Sequence, residues 1–208
     1  MVDIDLSISN ELLKPGELRQ ALANLKSKYA KARAAAARSL GKAHNPEVVP
    51  ALSGALKDSV KEVWSAAFRS LSEIGSKSAV NALIDALEDP REEVREEIAR
   101  QLGMVRAVRA AEGIRHAAQA EHHIPAKQEM IEALGRLEDE GSLPLLASFL
   151  TNKNPSIRWS ATWAISMIGR ASRSQKAIDM LMLLERHTDH RIQHEAATAL
   201  RAIGSRQI

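Results

Sequence analysis

The chain has 208 residues, of which 45% are hydrophobic and only 3% aromatic, and its net charge is +3 with histidine neutral. The absence of cysteine excludes disulfides, thiolate catalysis and cysteine metal sites, and the small charge does not demand a nucleic-acid partner. No apolar run approaches the roughly 18 residues of a membrane-spanning helix, so we expect no membrane insertion. Residues 1–5 lack the layout of a signal peptide, and we therefore expect a cytoplasmic protein.

Residues 1–11 are expected to form an N-terminal tail, in which Ile4, Leu6 and Ile8 alternate with polar residues. Residues 12–208 are expected to form one repeat domain, because no long linker interrupts a series of amphipathic helix pairs. The predicted pairs run over about 15–40, 46–74, 78–105, 142–168 and 174–204, with an irregular fourth pair whose first helix covers about 107–120.

One pattern, V-R-x-x-A-A-x-A-L-G-x-I-G, recurs through these pairs at intervals of 31 to 35 residues. Its ninth place is leucine or isoleucine, at Leu40, Leu71, Leu102, Leu134, Ile165 and Leu200. Since apolar and small residues fall three and four places apart, the pattern predicts the second helix of each pair. The second place is usually basic, and the glycines at the tenth place, Gly41, Gly103 and Gly135, are expected where a helix can end.

Segments such as 45–52 (NPEVVPAL) and 93–99 (EVREEIA) resemble the short HEAT-like repeats, especially the subtype named after phycobilisome lyases. The resemblance extends over about residues 12–207. It implies an all-α, right-handed α-solenoid of about six helix pairs, whose second helices line a concave groove. Periodicity by itself predicts only stacked helix pairs.

The third, seventh and eleventh places of the pattern share one helix face, which the resemblance directs into the groove. This face provides the predicted partner-binding residues, namely Trp159, Trp163, Met167, Arg100, Arg136, Glu96, Glu132 and Met104. The tryptophans are the expected anchors and the charged residues an orienting polar rim, since tryptophan and arginine dominate many protein interfaces. Alternatively, Trp159 and Trp163 cover the neighbouring helix as core residues. Trp64, which takes a usual arginine place, is expected to pack between repeats.

His190 and His194 lie four residues apart on one helix face beside Glu195, a spacing that can place two ligands on one metal ion. A related helical-repeat family, the deoxyhypusine hydroxylases, binds a di-iron centre through His-Glu pairs at the third and fourth places of several repeats. Here only one repeat has such a pair, His194-Glu195. We therefore predict no metal, no cofactor and no catalytic residue.

Nucleic acid is one alternative partner, since HEAT-like DNA glycosylases of the alkylpurine class use a basic groove with tryptophans and an aspartate. A row of basic residues here could follow phosphates, namely Arg38, Lys42, Arg69, Arg100 and Arg136. However, no aspartate occupies the groove positions, and Glu73, Glu96 and Glu132 interrupt the row. Nucleic acid is therefore not the expected partner.

The sequence favours a non-enzymatic adaptor or scaffold that holds another, unidentified protein in its groove. A bilin lyase or other chromophore-handling subunit stays open as an alternative, because the repeat subtype is named after such proteins. An apolar patch beside basic residues is compatible with a tetrapyrrole that carries propionates. A bilin or a phycobiliprotein would then be the partner.

Overall fold

The computed structural model describes residues 13–43 and 45–204, and within these ranges the only regular structure is helical. The predicted tail, residues 1–11, lies outside the described residues. The α-helices are α1 (Pro15–Asn24), α2 (Ala30–Lys42), α3 (Val49–Leu56), α4 (Lys61–Ile74), α5 (Lys77–Asp85), α6 (Glu92–Met104), α7 (Ala111–Ala120), α8 (Ile124–Arg136), α9 (Leu143–Phe149), α10 (Pro155–Ser172), α11 (Gln175–Leu184) and α12 (His190–Gly204). The predicted all-α architecture of successive helix pairs, an α-solenoid, is confirmed.

The chain divides into two compact units, Met1–Leu83 and Ile84–Ile208, with the boundary inside α5. In the first unit the second helices of two successive pairs, α2 and α4, pack against each other, while α1 lies on α2 and α3 on α4. Ala37, Leu40 and Leu71 have no exposed surface. These are the small and anchor positions of the pattern, so the repeating stripe forms the core.

In the second unit four second helices stack in order, α6 on α8, α8 on α10 and α10 on α12. The first helices cover them, with α7 on α8, α9 on α10, and α11 on both α10 and α12. Ile98, Leu134 and Ile165 are fully buried between them. The second helices therefore form one layer, and the side chains that point away from this core are available for a site.

The glycines at the tenth place allow the second helices to approach closely. A Cβ added to Gly103 would lie 2.8 Å from Cα of Ala133, and one on Gly135 would lie 2.7 Å from Cα of Ala164. Both helices end one residue after these glycines, close to the predicted end. Backbone contact rather than helix termination explains the residue type, because any side chain there would push the neighbouring helix away.

The basic residue at the second place ties neighbouring repeats together. Arg95 donates through Nη1 to the carbonyl oxygen of Asp89 (2.7 Å), and through Nε and Nη2 to the two carboxylate oxygens of Glu121 (2.6 and 3.0 Å). Glu121 Oε1 also accepts the backbone N–H groups of His122 and His123, both at 2.8 Å, just before α8 begins. We call this arrangement of arginine, carbonyl and turn carboxylate a turn clamp.

Turn clamps recur in both units with different carboxylates. Arg33 donates to the carbonyl oxygen six residues earlier (2.8 Å) and to both carboxylate oxygens of Asp58 (2.6 and 3.0 Å). Arg158 also donates to the carbonyl oxygen six residues earlier (2.9 Å), and its Nη2 lies 3.8 Å from Oδ2 of Asp189. The arginines at the second place, Arg33, Arg95 and Arg158, therefore serve the fold. None of them is among the predicted binding residues, which lie at the third, seventh and eleventh places.

Candidate functional site

The eight predicted binding residues lie on three neighbouring second helices of the second unit. They are Glu96, Arg100 and Met104 on α6, Glu132 and Arg136 on α8, and Trp159, Trp163 and Met167 on α10. Met104 is 62% exposed and the others are half-buried. Because α6 packs on α8 and α8 on α10, these residues share one surface, which we call the second-helix face.

The two tryptophans of this face are neither core residues nor fully exposed. Trp159, Trp163 and Met167 are all half-buried, whereas Trp64 on α4 is only 3% exposed, as expected for a residue packed between helices. A spacing of four residues places the first three on one side of α10. Part of each side chain is therefore packed against the protein, while another part is exposed to solvent.

Arginines lie beside this apolar row. The guanidinium carbon of Arg136 is 5.5 Å from the ring centroid of Trp163, within range of a cation–π interaction. Nη2 of Arg170 is 3.2 Å from the sulfur of Met167 and 3.7 Å from a carboxylate oxygen of Glu195. The apolar side chains and their charged neighbours thus form one connected surface on α8, α10 and α12.

On α6 a single arginine is shared by three carboxylates. Arg100 donates to Glu96 (2.7 Å) and Glu97 (2.5 Å) on its own helix, and to Glu129 (3.1 Å) on α8. Its side chain is 34% exposed, and those of Glu97 and Glu129 are 19% and 22% exposed. Because these groups are only partly solvated, their charges interact more strongly than those of fully exposed side chains.

On α8 the surplus of negative charge continues. Glu132 accepts hydrogen bonds from Arg136 (3.0 Å) and from the hydroxyl of Ser160 on α10 (3.2 Å), and Glu129 lies 3.5 Å from Arg136. Burial, followed by the charge of Glu129, raises the pKa of Glu132 above its ordinary value despite these partners. We call Glu96, Glu97, Glu129 and Glu132, with Arg100 and Arg136, the carboxylate cluster. Its four carboxylates and two guanidinium groups give a net charge of −2 when all are ionised.

The sequence interpretation missed Glu97, Glu129 and Ser160, all at the fourth place of the pattern. The third, seventh and eleventh places define too narrow a stripe, since the fourth place faces the gap between neighbouring second helices. A carboxylate at that place on both α6 and α8 was the available signal. The sequence does not show which arginine on the same or an adjacent helix pairs with such a carboxylate, and this pairing decides its role.

His190 and Glu195, two of the residues with the spacing of metal ligands, have other neighbours. Nδ1 of His190 lies 3.3 Å from the amide oxygen of Gln193, and Glu195 faces Arg170. Over residues 13–43 and 45–204 no group of three or more His, Asp or Glu side chains is arranged to hold a metal ion. Within the same ranges no helix is both long and apolar enough to cross a membrane.

The predicted basic row is broken by its own ion pairs. Arg100 and Arg136 are bonded to the carboxylate cluster, and in the first unit Arg38 lies 3.7 Å from Glu62. A phosphate at Arg100 would lie close to the three carboxylates that accept hydrogen bonds from this arginine. The face therefore lacks the continuous positive charge on which nucleic-acid binding depends.

The family described as HEAT repeats matches the sequence over residues 17–103, 61–128 and 111–201. Comparison with curated proteins finds no match.

Several solved structures are similar over nearly the whole chain. The complex of CpcE and CpcF of phycocyanin lyase from Nostoc sp. PCC7120 is 25% identical, over 98% of this chain and 82% of that chain, with a TM-score of 0.53. An engineered protein is 23% identical over 90% of this chain and 96% of its own, with a TM-score of 0.54. A computationally designed armadillo repeat protein for modular peptide recognition is 17% identical over 89% and 99%, with a TM-score of 0.53. The last two likenesses show the fold alone.

Proposed function

The chain belongs to the HEAT repeat proteins, and we propose that it is a non-enzymatic scaffold that holds a segment of another protein on its second-helix face. A stack of helix pairs offers a long, regular surface made from equivalent positions of successive repeats. A segment of a partner chain can contact several repeats at once on such a surface.

The observation that supports this proposal best is the half-buried row of Trp159, Trp163 and Met167 on α10. Tryptophan is enriched among residues that dominate the binding energy of protein interfaces. Side chains already held by their own protein lose less conformational freedom when a partner covers them. Met104, 62% exposed on α6, adds an open apolar contact on the helix that also carries Glu96, Glu97 and Arg100.

Photo-crosslinking tests the proposal with the full chain. Met104 is replaced by photoreactive benzoylphenylalanine, and the matched control carries the same group in place of Leu183, which is 76% exposed on the first helix α11. After irradiation in native lysate we expect a defined protein adduct from position 104 and none from position 183. An equal set of adducts from both positions, or none from 104, would overturn the proposal.

The tryptophans are tested in the same experiment by adding Trp159→Ala with Trp163→Ala to the position-104 variant. We expect the adduct to disappear while helical circular dichroism is retained. Since both tryptophans are half-buried, the melting temperature is measured as well, and Trp159→Phe with Trp163→Phe preserves much of their packing. Retention of the adduct in a folded alanine variant would show that the tryptophans are not the anchors.

A second candidate is a chromophore-handling subunit of the bilin-lyase type. It is favoured by the 25% identity to the CpcE and CpcF complex of phycocyanin lyase over 98% of this chain. Mixing the protein with a bilin and a phycobiliprotein apo-subunit tests this directly. A coloured covalent adduct that forms only with this chain present would establish the candidate, whereas an unchanged absorption spectrum would rule it out for that pair.

A further inference from the structure

We propose that the segment held on the second-helix face is cationic, with at least two lysines or arginines that lie over the carboxylate cluster. This inference rests on the proposed scaffold function and names the chemistry of its partner. It is carried by charge complementarity between the face and its occupant.

The negative charge belongs to this part of the chain and is not a general property of the repeat. At the third, fourth, seventh and eleventh places, α6 and α8 together carry four carboxylates and two arginines, a net charge of −2. The same places on α2 and α4 carry three cations, Arg38, Lys42 and Arg69, against the single carboxylate of Glu73, a net charge of +2. The repeat pattern is therefore compatible with either net charge at these places. The negative charge on α6 and α8 belongs to the face that holds the tryptophans.

The carboxylates of the cluster outnumber the arginines that pair with them, four against two. Arg100 donates to three of them, and the buried Oε2 of Glu129 accepts no hydrogen bond from the described residues and lies 3.5 Å from Nη1 of Arg136. Burial raises the pKa of Glu132, and the charge of Glu129 raises it further. A cation supplied by a partner would reduce this repulsion, whereas a partner carboxylate or phosphate would increase it.

The neighbouring aromatic rings also suit a cation. The face of a tryptophan attracts guanidinium and ammonium groups, and Arg136 already lies over Trp163. Trp159 presents a second ring one turn earlier on the same side of α10. A segment that alternates basic and apolar residues would meet carboxylates on α6 and α8, and aromatic and thioether groups on α10.

Fluorescence anisotropy with three labelled peptides tests the inference. The probes are twelve residues long with the same apolar residues, and their remaining positions are arginine, glutamate or serine. We expect the arginine peptide to bind at least about tenfold more tightly than the serine peptide at low salt, the glutamate peptide to bind weakest, and the difference to shrink as salt screens it. Equal affinities, or a preference for the glutamate peptide, would overturn the inference.

A matched pair of charge variants locates the effect. Glu96→Gln with Glu97→Gln removes two carboxylates of the cluster, and Glu112→Gln with Glu140→Gln removes two exposed carboxylates elsewhere in the second unit. We expect the first variant to lose about tenfold in affinity for the arginine peptide and the second less than about threefold, because nearby charges act more strongly than distant, screened ones. Equal losses would assign the preference to overall charge and overturn the proposed location.

Failure of this inference is distinguishable from failure of the scaffold function. If all three peptides bind alike or not at all while position 104 still crosslinks to a protein partner, the scaffold function stands and the cationic partner is wrong. If the crosslinked segment of that partner is acidic, the inference is also wrong. Loss of both the crosslink and the arginine peptide overturns the two proposals together.

Discussion

Glu121 in a turn clamp and Glu132 in the carboxylate cluster are both largely shielded from water, yet their pKa values move in opposite directions. Burial alone raises the pKa of both. At Glu121 this effect is overcome by the hydrogen bonds from Arg95 and from two backbone N–H groups, and the pKa is lowered. At Glu132 the charge of Glu129 adds to burial, and the pKa is raised.

The difference separates two uses of ion pairs in one helical stack. In the turn clamp every carboxylate oxygen of Glu121 has a donor, so the charge stabilises the connection between repeats. In the carboxylate cluster the carboxylates outnumber the arginines, which costs stability in the free protein. A group with a perturbed pKa on an open surface is a candidate for function, and this contrast favours the second-helix face as the binding site.

Breaking a turn clamp should have the largest effect on stability. Arg95→Ala leaves Glu121, whose side chain is only 5% exposed, without its cation. We expect the free energy of unfolding to fall by roughly 2–4 kcal/mol, as measured by urea denaturation followed by circular dichroism.

Arg106→Ala is the matched control, because Arg106 pairs with Glu138 but is itself 58% exposed. Surface ion pairs contribute about 0–1 kcal/mol, so this variant should unfold nearly like the wild type. Similar losses in the two variants would remove the distinction between clamp and surface pair.

The second test moves α10 of the second-helix face away from α8 without changing any charge. A Cβ at residue 135 would lie 2.7 Å from Cα of Ala164 and 3.1 Å from the ring of Trp163. We expect Gly135→Ala to destabilise the protein by about 1–2 kcal/mol, since overpacking exceeds the gain in helix propensity. The tryptophan fluorescence spectrum should also shift as Trp163 moves.

Gly54→Ala on α3 serves as the control, because an added Cβ there meets nothing within 4 Å. It should raise stability by roughly 0.5–1 kcal/mol through helix propensity alone. A stabilised Gly135→Ala variant would show that the close contact between α8 and α10 is not needed.

The pKa values of Glu121 and Glu132 shift in opposite directions, so their contributions to stability should depend on pH in opposite ways. We expect this effect to be the smallest of those tested. The folded state binds the proton of Glu132 more tightly than the unfolded state, so wild-type stability is lost as pH rises from about 4.5 through the raised pKa. Glu132→Gln cannot ionise, and its melting temperature relative to wild type should therefore increase over this range.

Glu121→Gln should behave in the reverse manner. The lowered pKa of Glu121 contributes stability above about pH 4.5 that is lost as pH falls through the folded-state pKa. The variant should therefore melt below wild type at pH 7, with a deficit that shrinks in acid. The melting temperature of each variant relative to wild type is measured from pH 3.5 to 8. If the two differences changed with pH in the same direction, the contrast between Glu121 and Glu132 would be wrong.

Much of the fold followed from periodicity. The anchor leucines and isoleucines identified every second helix, and the observed α6 and α8 end within one residue of Gly103 and Gly135. The predicted binding residues also lie on adjacent helices. However, the sequence interpretation placed Arg100 and Arg136 in a polar rim with Glu96 and Glu132 and did not include the glutamates at the fourth place. Arg100 is bonded to Glu97, and Arg136 lies 3.5 Å from Glu129. The sequence is compatible with Trp159 and Trp163 as either contact residues or core residues, and in the structure both are half-buried.

The sequence by itself determined the all-α class, the repeat period and the helix face on which the candidate residues lie, because these depend on spacings of three, four and about thirty residues along one chain. Only the tertiary structure decided which charges meet. Arg95 and Glu121 are 26 residues apart, and Arg100 and Glu129 are 29 apart. Their contacts depend on the register and distance between packed helices, and close approach at residues such as Gly135 sets that distance. The same pattern of arginine and glutamate thus becomes a clamp at one place and a surplus of negative charge at another.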